Sequence, residues 1–347
     1  DLEQYKLSFT YIFDKYLNCE YTCEFLDCDK IYNKNFNETD IIILGGGDVL
    51  NNYFLDKIHK KFQNTNNLIL AVSVGLPYTD TLIKTNKLNI IDYIFIRTTV
   101  DLDIFKRYFF EDRIFYIPDL SLTLKYTLNN LNDNPEKESY IEKIKIQKGK
   151  DKKIVTINLS RHIYNKNYIT DYNNIIETLR DFCNFLIKEN YYIVFLPFNT
   201  SPINQNENDI IIQNDIKVLL DNINAVFIEE ELDIKKIFDI FRLSDLCIPM
   251  RFHACLFAIY TNTPIIPIYT TRKIKNLLKE FDWKYKYELV TNEKDIPIEL
   301  NLDNLLYIYK NLQNNIKLID KKLFDINENI LDKSFNETKD TFINCLK

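Results

Sequence analysis

Glycine is scarce in this chain. Only five of its 347 residues are glycine, although ordinary usage near 7% would give about two dozen in a chain of this length. Three of the five are consecutive, Gly45, Gly46 and Gly47, and the others are Gly75 and Gly149. Glycine adopts positive φ freely and lets other groups approach the backbone closely. The run therefore indicates a local backbone requirement at residues 45–47.

Other shortages exclude whole classes of protein. No apolar run approaches the ~20 residues that a membrane helix needs, so we expect no integral membrane segment. Basic residues are not in excess, because 44 Lys and Arg face 50 Asp and Glu and leave a net charge of -6. This balance disfavours a nucleic-acid partner, since such proteins neutralise phosphates with basic surface. An aromatic content of 14% also argues against disorder.

The chain has no Cys-x-x-Cys pair, and its seven cysteines are an odd number. This pattern disfavours both a zinc ribbon and a complete disulfide framework, so we expect reduced, mostly buried thiols and neither a metal nor a cofactor. The sequence begins with Asp1 rather than Met, which suggests a piece of a longer polypeptide. Because no signal peptide opens it, we expect a cytoplasmic location.

Short apolar runs alternate with longer amphipathic stretches along the chain, which predicts an α/β protein with largely parallel sheets. We expect two Rossmann-like, doubly wound domains that face a cleft. Residues 1–126 form the N-terminal domain, 127–153 a polar linker, 154–280 the C-terminal domain, and 281–347 a helical tail that packs back on the first domain. The predicted strands are 25–28, 41–44, 68–72, 93–96, 114–117, 154–159, 191–196, 226–228, 246–249 and 265–269.

Ligands of open parallel sheets bind beyond the carboxyl ends of the strands. The apolar strand 41–44 ends in Gly45–Gly47 and Asp48 before a predicted helix over 49–62. Glycines followed by a helix N-terminus can present free backbone N–H groups to an anion. The alternative is a tight turn in which Asp48 is merely the N-cap of the helix.

A second candidate site follows the predicted strand 246–249, where Arg251 and His253 begin the next helix. A guanidinium at this position can hold a phosphate or a carboxylate with two hydrogen bonds. The positive end of a helix disfavours the imidazolium form, so His253 can act as an acid or a base near neutral pH. The alternative is a structural histidine that is satisfied within the core.

Further polar residues follow the other predicted strands. They are Ser73, Gly75, Arg97 and Asp119 in the first half of the chain and Arg161, Arg272 and Lys273 in the second. Four cationic positions, counting Arg272 and Lys273 as one, thus reach strand ends in a net-acidic chain. Their arrangement predicts a locally positive cleft for a small anionic substrate.

The strand ends also carry sequence motifs that resemble one family. In chain order they are Gly-Gly-Gly-Asp (45–48), Ser-Val-Gly-Leu-Pro (73–77), Pro-Asp-Leu-Ser-Leu (118–122), Asn-Leu-Ser-Arg (158–161), Leu-Pro-Phe (196–198) and Ser-Asp-Leu-Cys-Ile-Pro-Met-Arg-Phe-His-Ala (244–254). Over about residues 41–280 the chain resembles the polysaccharide pyruvyl transferase family. The glycine turn and the Arg-x-His segment are the most specific parts of this resemblance.

The resemblance implies a GT-B-like pair of domains, phosphoenolpyruvate as donor, a glycan or lipid-linked sugar as acceptor, and a pyruvate ketal as product. It implies that His253 is the general acid and base, assisted by Arg251. Arg161, Arg251 and either Arg272 or Lys273 would bind the donor's phosphate and carboxylate. The acceptor side, or cleft wall, would consist of Gly45, Gly46, Gly47, Asp48, Ser73, Gly75, Arg97 and Asp119.

Two departures from the family pattern keep other functions open. No Asn-x-Gly-Asp loop precedes the glycine run, and Arg97 is followed by Thr98 and Thr99 rather than by an acidic residue and a serine. A catalytically silent glycan-binding module of the same fold is therefore one alternative. Another is a GT-B glycosyltransferase with a nucleotide-sugar donor. Its ribose pocket would need acidic or aromatic residues, and Glu229–Glu231 is the acidic cluster near the strand ends of the second half.

Overall fold

The computed structural model describes residues 2–76, 85–128, 138–160, 172–201, 205, 207–220, 224–289 and 298–347. The chain forms two compact units. The first unit consists of Asp1–Asn130, Lys279–Phe281 and Glu328–Lys347, and the second consists of Leu131–Leu278 and Asp282–Asn327. Each unit contains a four-stranded parallel sheet, so the predicted α/β class with Rossmann-like parallel sheets is confirmed.

The sheet of the first unit has the strand order β1-β2-β3-β4, with all neighbours parallel. Its strands are β1 (Ile42–Gly47), β2 (Ile69–Val74), β3 (Tyr93–Ile96) and β4 (Ile114–Tyr116). Its helices are α1 (Leu2–Tyr16), α2 (Asn52–Phe62), α3 (Thr85–Leu88), α4 (Leu102–Phe105) and α5 (Leu124–Thr127), and α14 (Lys333–Cys345) joins them from the end of the chain. Every residue of β2 is buried, as expected for a parallel strand that is covered on both faces.

The sheet of the second unit has the order β7-β6-β5-β8, again parallel. Its strands are β5 (Lys153–Asn158), β6 (Tyr191–Phe195), β7 (Ala225–Phe227) and β8 (Leu246–Pro249). Beyond β8, Ile265 makes an isolated parallel bridge to Cys247, and the chain continues into a two-stranded parallel sheet. That small sheet consists of β9 (Ile268–Tyr269) and β10 (Tyr287–Glu288).

The helices that begin in the second unit surround its sheet or extend its C-terminal part. They are α6 (Glu138–Lys148), α7 (Tyr172–Lys188), α8 (Asp209–Lys217), α9 (Ile234–Leu243), α10 (Phe252–Tyr260), α11 (Arg272–Glu280), α12 (Leu302–Asn314) and α13 (Ile316–Asp325). A π-helical stretch, Ile326–Asp332, joins α13 to α14. All nine residues of α10 are buried. A helix that is apolar around its whole circumference belongs in the interior, so α10 gives the Arg251–His253 segment a rigid support.

The predicted strands agree with the structure for most of the chain, and β3 and β8 have the predicted bounds. The strand predicted at 25–28 is wrong, because this segment makes no sheet pairing and leads into a 3-10 helix, Cys28–Asn33. Asp27 interrupts the apolar residues of this segment, and its side chain caps the 3-10 helix by accepting from the backbone N–H of Asp29. The helix α1 is not among the predicted elements.

The domain bounds in the structure differ from the sequence prediction at two places. The range predicted as a linker, 127–153, contains α6, which packs against α9 and β5 in the second unit; residues 129–137 of that range lie outside the described residues. The range predicted as a tail on the first domain, 281–347, is divided. Residues 282–327 belong to the second unit and 328–347 to the first.

Gly45–Gly47, predicted to follow a strand that ends at residue 44, are the last three residues of β1, and Gly45 and Gly47 pair with Val72 and Val74 of β2. This glycine segment provides a stability test with a matched control. Gly46 (φ +63°) and Gly47 (φ +80°) both have left-handed backbone conformations, but a Cβ on Gly46 would lie 2.0 Å from the ring of Tyr5, and one on Gly47 meets nothing within 4 Å. We expect Gly46→Ala to lower the free energy of unfolding by about 3 kcal/mol or more, because the overlap adds to the backbone strain. Gly47→Ala should lower it by about 1–2 kcal/mol. Urea unfolding of both variants measures the difference, and equal losses would contradict the packing of Tyr5 on Gly46.

Candidate active site

The candidate active site of the second unit lies at the carboxyl edge of its sheet, where β5, β6 and β8 end side by side. Arg251 is the N-cap residue of α10 and has an extended backbone (φ -99°, ψ 145°). Its backbone N–H donates to Asn158 Oδ1 at 2.9 Å, and Asn158 Nδ2 donates to the carbonyl of Leu196 at 3.0 Å. One amide side chain thus joins the ends of three neighbouring strands and fixes the start of α10.

The guanidinium of Arg251 is held by a buried carboxylate. Its Nη2 donates to Asp209 Oδ1 at 2.6 Å and to the carbonyl of Glu207 at 2.7 Å, and its Nε donates to Asp209 Oδ1 at 3.2 Å. Nη1 makes no hydrogen bond to any residue that the structure describes. Of the five N–H donors of arginine, this anchor uses three, and no described residue accepts from the two on Nη1.

Asp209, the first residue of α8, is itself tightly held. Its side chain is 0% exposed, and Oδ2 accepts hydrogen bonds from the backbone N–H groups of Phe198 and Asn199 at 3.0 and 3.1 Å. Burial raises the pKa of Asp209, while the charge of Arg251 and the two backbone donors act in the opposite direction. The carboxylate therefore depends on Arg251 for its charged form, and Arg251 depends on Asp209 for its orientation.

His253 is the second residue of α10 and is 9% exposed. Its ring lies between aromatic neighbours, with centroids 5.4 Å from Phe252 and 5.9 Å from Phe257. These contacts restrict the orientation of the imidazole and leave a small part of it at the surface. The structure thus places His253 two residues from Arg251 on one rigid helix start, as the sequence predicts.

The other predicted donor-binding cations follow different strands. Arg272 and Lys273 are half-buried and form the first two positions of α11, after β9. The segment from Ile265 runs parallel to β8. The chain that leads to Arg272 and Lys273 therefore runs in the same direction as the strand that leads to Arg251. Arg161 lies outside the described residues; the described chain stops at Ser160, just beyond the end of β5.

The carboxyl edge of the first unit holds a second arginine, Arg97, which follows β3. Its Nη2 donates to Asp48 Oδ1 at 2.7 Å and its Nη1 lies 3.4 Å from Asp119 Oδ2. The side chain of Arg97 is 4% exposed and that of Asp48 is 24% exposed. Two carboxylates therefore neutralise this guanidinium inside the protein. Unlike Arg251, it adds no accessible positive charge to the edge, which alters the predicted set of four cations.

Tyr5 of α1 completes the cluster around Arg97. Its hydroxyl donates to Asp119 Oδ2 at 3.1 Å, while Asp119 Oδ1 accepts from the backbone N–H and the hydroxyl of Ser121. Burial and the charge of Asp119 raise the pKa of Tyr5 well above its ordinary value, although the charge of Arg97 opposes this. The Tyr5 hydroxyl consequently keeps its proton and acts as a donor to Asp119.

The remaining predicted residues of the first unit contribute to this packing. Ser73 is buried with φ 59°, and its Oγ accepts from the backbone N–H of Leu120 at 3.1 Å. A Cβ on Gly75 would lie 3.0 Å from Arg97 Nε, so glycine leaves room for the guanidinium. Asp48 is not the helix N-cap, because Asn51 fills that role with hydrogen bonds from the N–H groups of Tyr53 and Phe54. Since Asn51 satisfies those donors, the start of α2 does not support the predicted anion site.

Sequence reasoning missed Tyr5, Asn158 and Asp209 as parts of these clusters. Asp209 stands in the first turn of a predicted helix, where an acidic residue is ordinarily explained by the helix dipole. Asn158 belongs to the motif Asn-Leu-Ser-Arg, so this motif could have identified it as part of the site. Tyr5 lies in the helix that the periodicity analysis overlooked.

The described residues also bear on several weaker expectations. These residues contain no group of three or more His, Cys, Asp and Glu suited to a metal, and none of their helices is long and apolar enough to cross a membrane. All seven cysteines are free, but Cys19 and Cys23 are exposed and Cys28 and Cys345 are half-buried. The expectation of mostly buried thiols is thus wrong for the N-terminal cluster. Glu229 forms a surface ion pair with Lys217, which does not favour a ribose pocket there.

Comparisons with known proteins agree with this architecture. A family model described as polysaccharide pyruvyl transferase matches residues 4–272. No curated protein matches the chain. Among solved structures, the chain is similar to a putative UDP-N-acetylglucosamine 2-epimerase from Listeria monocytogenes, with 14% identity, a TM-score of 0.60 and coverage of 89% of this chain and 76% of that chain.

Two further solved structures show the same similarity. One is the UDP-GlcNAc 2-epimerase from Neisseria meningitidis bound to UDP-GlcNAc, with 11% identity, a TM-score of 0.56 and coverage of 88% of this chain and 75% of that chain. The other is an alpha,alpha-trehalose-phosphate synthase (UDP-forming) from Burkholderia vietnamiensis, with 10% identity, a TM-score of 0.54 and coverage of 90% and 75%. At these identities the similarity establishes the fold, which is GT-B-like as predicted.

The Tyr5 hydroxyl offers a test of the cluster in the first unit. We expect Tyr5→Phe to lower the free energy of unfolding by about 2 kcal/mol, because it removes a hydrogen bond to a buried charged acceptor and keeps the ring on Gly46. Tyr53→Phe is the matched control, since the Tyr53 hydroxyl also donates to an aspartate, Asp29, but at the exposed surface. Its stability in urea should equal that of the wild type within error. Two equally small effects would contradict a stabilising role for the Tyr5–Asp119 bond.

Proposed function

The chain belongs to the polysaccharide pyruvyl transferase family, and from this membership we propose that it moves the pyruvyl group of phosphoenolpyruvate onto a glycan or a lipid-linked sugar. The product is a pyruvate ketal that bridges two sugar hydroxyls, and inorganic phosphate is released. The observation that carries the proposal is the Arg251-x-His253 start of α10, where a cation whose two Nη1 donors are not used by any described residue stands two residues from the one histidine of that helix.

The donor explains why such cations are needed. Phosphoenolpyruvate carries a phosphate and a carboxylate, and the bond between its C2 carbon and the phosphate oxygen breaks as phosphate leaves. Arg251 Nη1 donates to one of these two anionic groups. Arg161, together with either Arg272 or Lys273, binds the other. Fixed N–H donors in a largely buried setting stabilise the charge that develops on the leaving phosphate more strongly than water does.

Two protons move in this reaction. One acceptor hydroxyl adds to C2 while C3 gains a proton and becomes a methyl group. The second hydroxyl then forms the other bond to C2 as the phosphate leaves. The two hydroxyls together lose two protons. One proton is balanced by the proton that C3 gains, and the other leaves on the departing phosphate. We assign these transfers to His253, because an imidazole can accept and return a proton near neutral pH.

We assign the acceptor to the carboxyl edge of the first unit. Gly45 is exposed and Gly47 half-buried there, and Asp48 is the most accessible member of the cluster around Arg97. A carboxylate accepts hydrogen bonds from sugar hydroxyls. In this assignment Arg97, Asp119, Ser73 and Gly75 act by holding Asp48 and the glycine turn in place.

The direct test incubates the protein with phosphoenolpyruvate and a panel of β-galactoside and N-acetylhexosamine acceptors. We expect phosphate release that depends on the acceptor, together with a gain in acceptor mass equal to one pyruvate ketal. Absence of turnover with every acceptor, combined with no thermal stabilisation by phosphoenolpyruvate, would refute the proposal. Stabilisation by a nucleoside diphosphate instead would favour glycosyl transfer, and binding of glycan alone would favour a silent binding module.

The role of His253 has its own test. We expect His253→Ala to lower kcat by at least ~100-fold, because it removes the acid and base from the reaction. His59→Ala is the control, since His59 lies on the half-buried face of α2 in the first unit, outside the proposed site. Its rate should match that of the wild type. An unchanged rate for His253→Ala would exclude His253 from the mechanism.

A further inference from the structure

The anchor of Arg251 assigns a function to a residue outside the Arg-x-His segment. We infer that Asp209 is a positioning residue: it fixes the Nε and Nη2 edge of Arg251, so that the two N–H groups of Nη1 are presented to the anionic donor. This inference rests on the proposed function, because the anion in question is phosphoenolpyruvate.

The geometry of the pair supports this role. Asp209 Oδ1 lies 2.6 Å from Nη2 and 3.2 Å from Nε of Arg251, so one carboxylate oxygen receives both donors along one edge of the guanidinium. The carbonyl oxygen of Glu207 accepts a hydrogen bond from the second N–H of Nη2, with an N···O distance of 2.7 Å. Rotation about the last bonds of the arginine would break all three hydrogen bonds at once, so the plane of the guanidinium is fixed before any ligand arrives.

Asp209 is in turn fixed by groups that do not depend on Arg251. The backbone N–H groups of Phe198 and Asn199 hold its Oδ2, and its own N–H donates to the carbonyl of Asn199 at 2.8 Å. The loop after β6 and the start of α8 therefore form a rigid support for the carboxylate. Preorganised supporting contacts of this kind raise ligand affinity, because the ordering of the side chain is complete before binding.

The contrast with Arg97 shows why one arginine is suited to a ligand and the other is not. In the first unit, carboxylates face both terminal nitrogens of Arg97, which is 4% exposed. In the part of the second unit that the structure describes, a single carboxylate pairs with Arg251, along one edge of its guanidinium, and the side chain of Arg251 is 18% exposed. Asp209 thus orients its arginine and leaves one nitrogen for a ligand, whereas Asp48 and Asp119 enclose theirs.

The test combines Asp209→Asn with kinetics. Asparagine keeps the shape and one acceptor oxygen but loses the charge. We expect the KM for phosphoenolpyruvate to rise at least ~10-fold, while the KM for the acceptor stays within about twofold. Asp245→Asn is the matched control, because Asp245 also accepts from a backbone N–H, that of Ile154, and pairs with a cation, Lys148, at the opposite end of the same sheet. Its KM for the donor should not change.

A double-mutant cycle with Arg251→Gln separates positioning from a general loss of structure. If Asp209 acts through Arg251, Asp209→Asn should have almost no further effect on donor KM once Arg251 is replaced. Additive effects, or equal changes in the KM values of donor and acceptor, would overturn the inference. Thermal melts accompany each variant, so that loss of folded protein is not read as loss of affinity.

A second measurement does not depend on turnover. The Nε–H of Arg251, identified in a ¹⁵N spectrum by its absence from Arg251→Gln, should exchange with solvent at least ~10-fold more slowly in the wild type than in Asp209→Asn. Equal exchange rates would overturn the inference. A protected Nε–H in a protein that binds neither phosphoenolpyruvate nor inorganic phosphate would instead refute the proposed function, while the anchor itself would stand.

Discussion

Burial of aspartate beside arginine is the constraint on which both sites depend. A buried ionised group is very costly unless a charge and hydrogen bonds compensate it. Asp209 meets this condition with Arg251 and two backbone N–H groups, and Asp119 meets it with Arg97, Tyr5 and Ser121. Each pair lies at the carboxyl edge of a parallel sheet, where strands end and loops begin. The requirement to satisfy these carboxylates thus determines how several loops close, and removal of either arginine would leave a buried carboxylate without the positive charge beside it.

Both carboxyl edges pair a buried aspartate with an arginine, but the two arginines are enclosed to different extents. In the first unit, the carboxylates on both sides of Arg97 make a closed cluster, and the glycine turn, Ser73 and Gly75 are shaped to fit around it. In the second unit, the anchor occupies one edge of the Arg251 guanidinium, and no described residue accepts from Nη1 on the other side. A net charge of -6 is therefore compatible with binding of a small anion, because the local arrangement of donors, not the total charge, determines which groups a ligand meets.

Much of the fold follows from the sequence, because parallel strands buried on both faces are continuous apolar runs and the helices between them have a clear period. β3 and β8 match their predicted bounds for this reason. The prediction of a strand at 25–28 is wrong because a run of four residues shows little periodicity. Whether such a run joins a sheet depends on its tertiary contacts. The edge location of Arg251 and His253 also follows from the sequence, since it needs only the position where a strand ends and the next helix begins.

The hydrogen-bond partners of side chains at the sheet edges do not follow from the sequence. Asp209 is separated from Arg251 by 42 positions, and nothing in its own segment distinguishes a carboxylate that holds a distant arginine from one that merely begins a helix. Tyr5 and Asp119 are 114 positions apart. Local pattern predicts which side chains reach an edge, whereas the distribution of charge along that edge arises only when the loops from different strands meet. Arg97 and Arg251 both follow a strand in the sequence, and only the structure shows that two carboxylates enclose Arg97, whereas the anchor of Arg251 lies along one edge of its guanidinium.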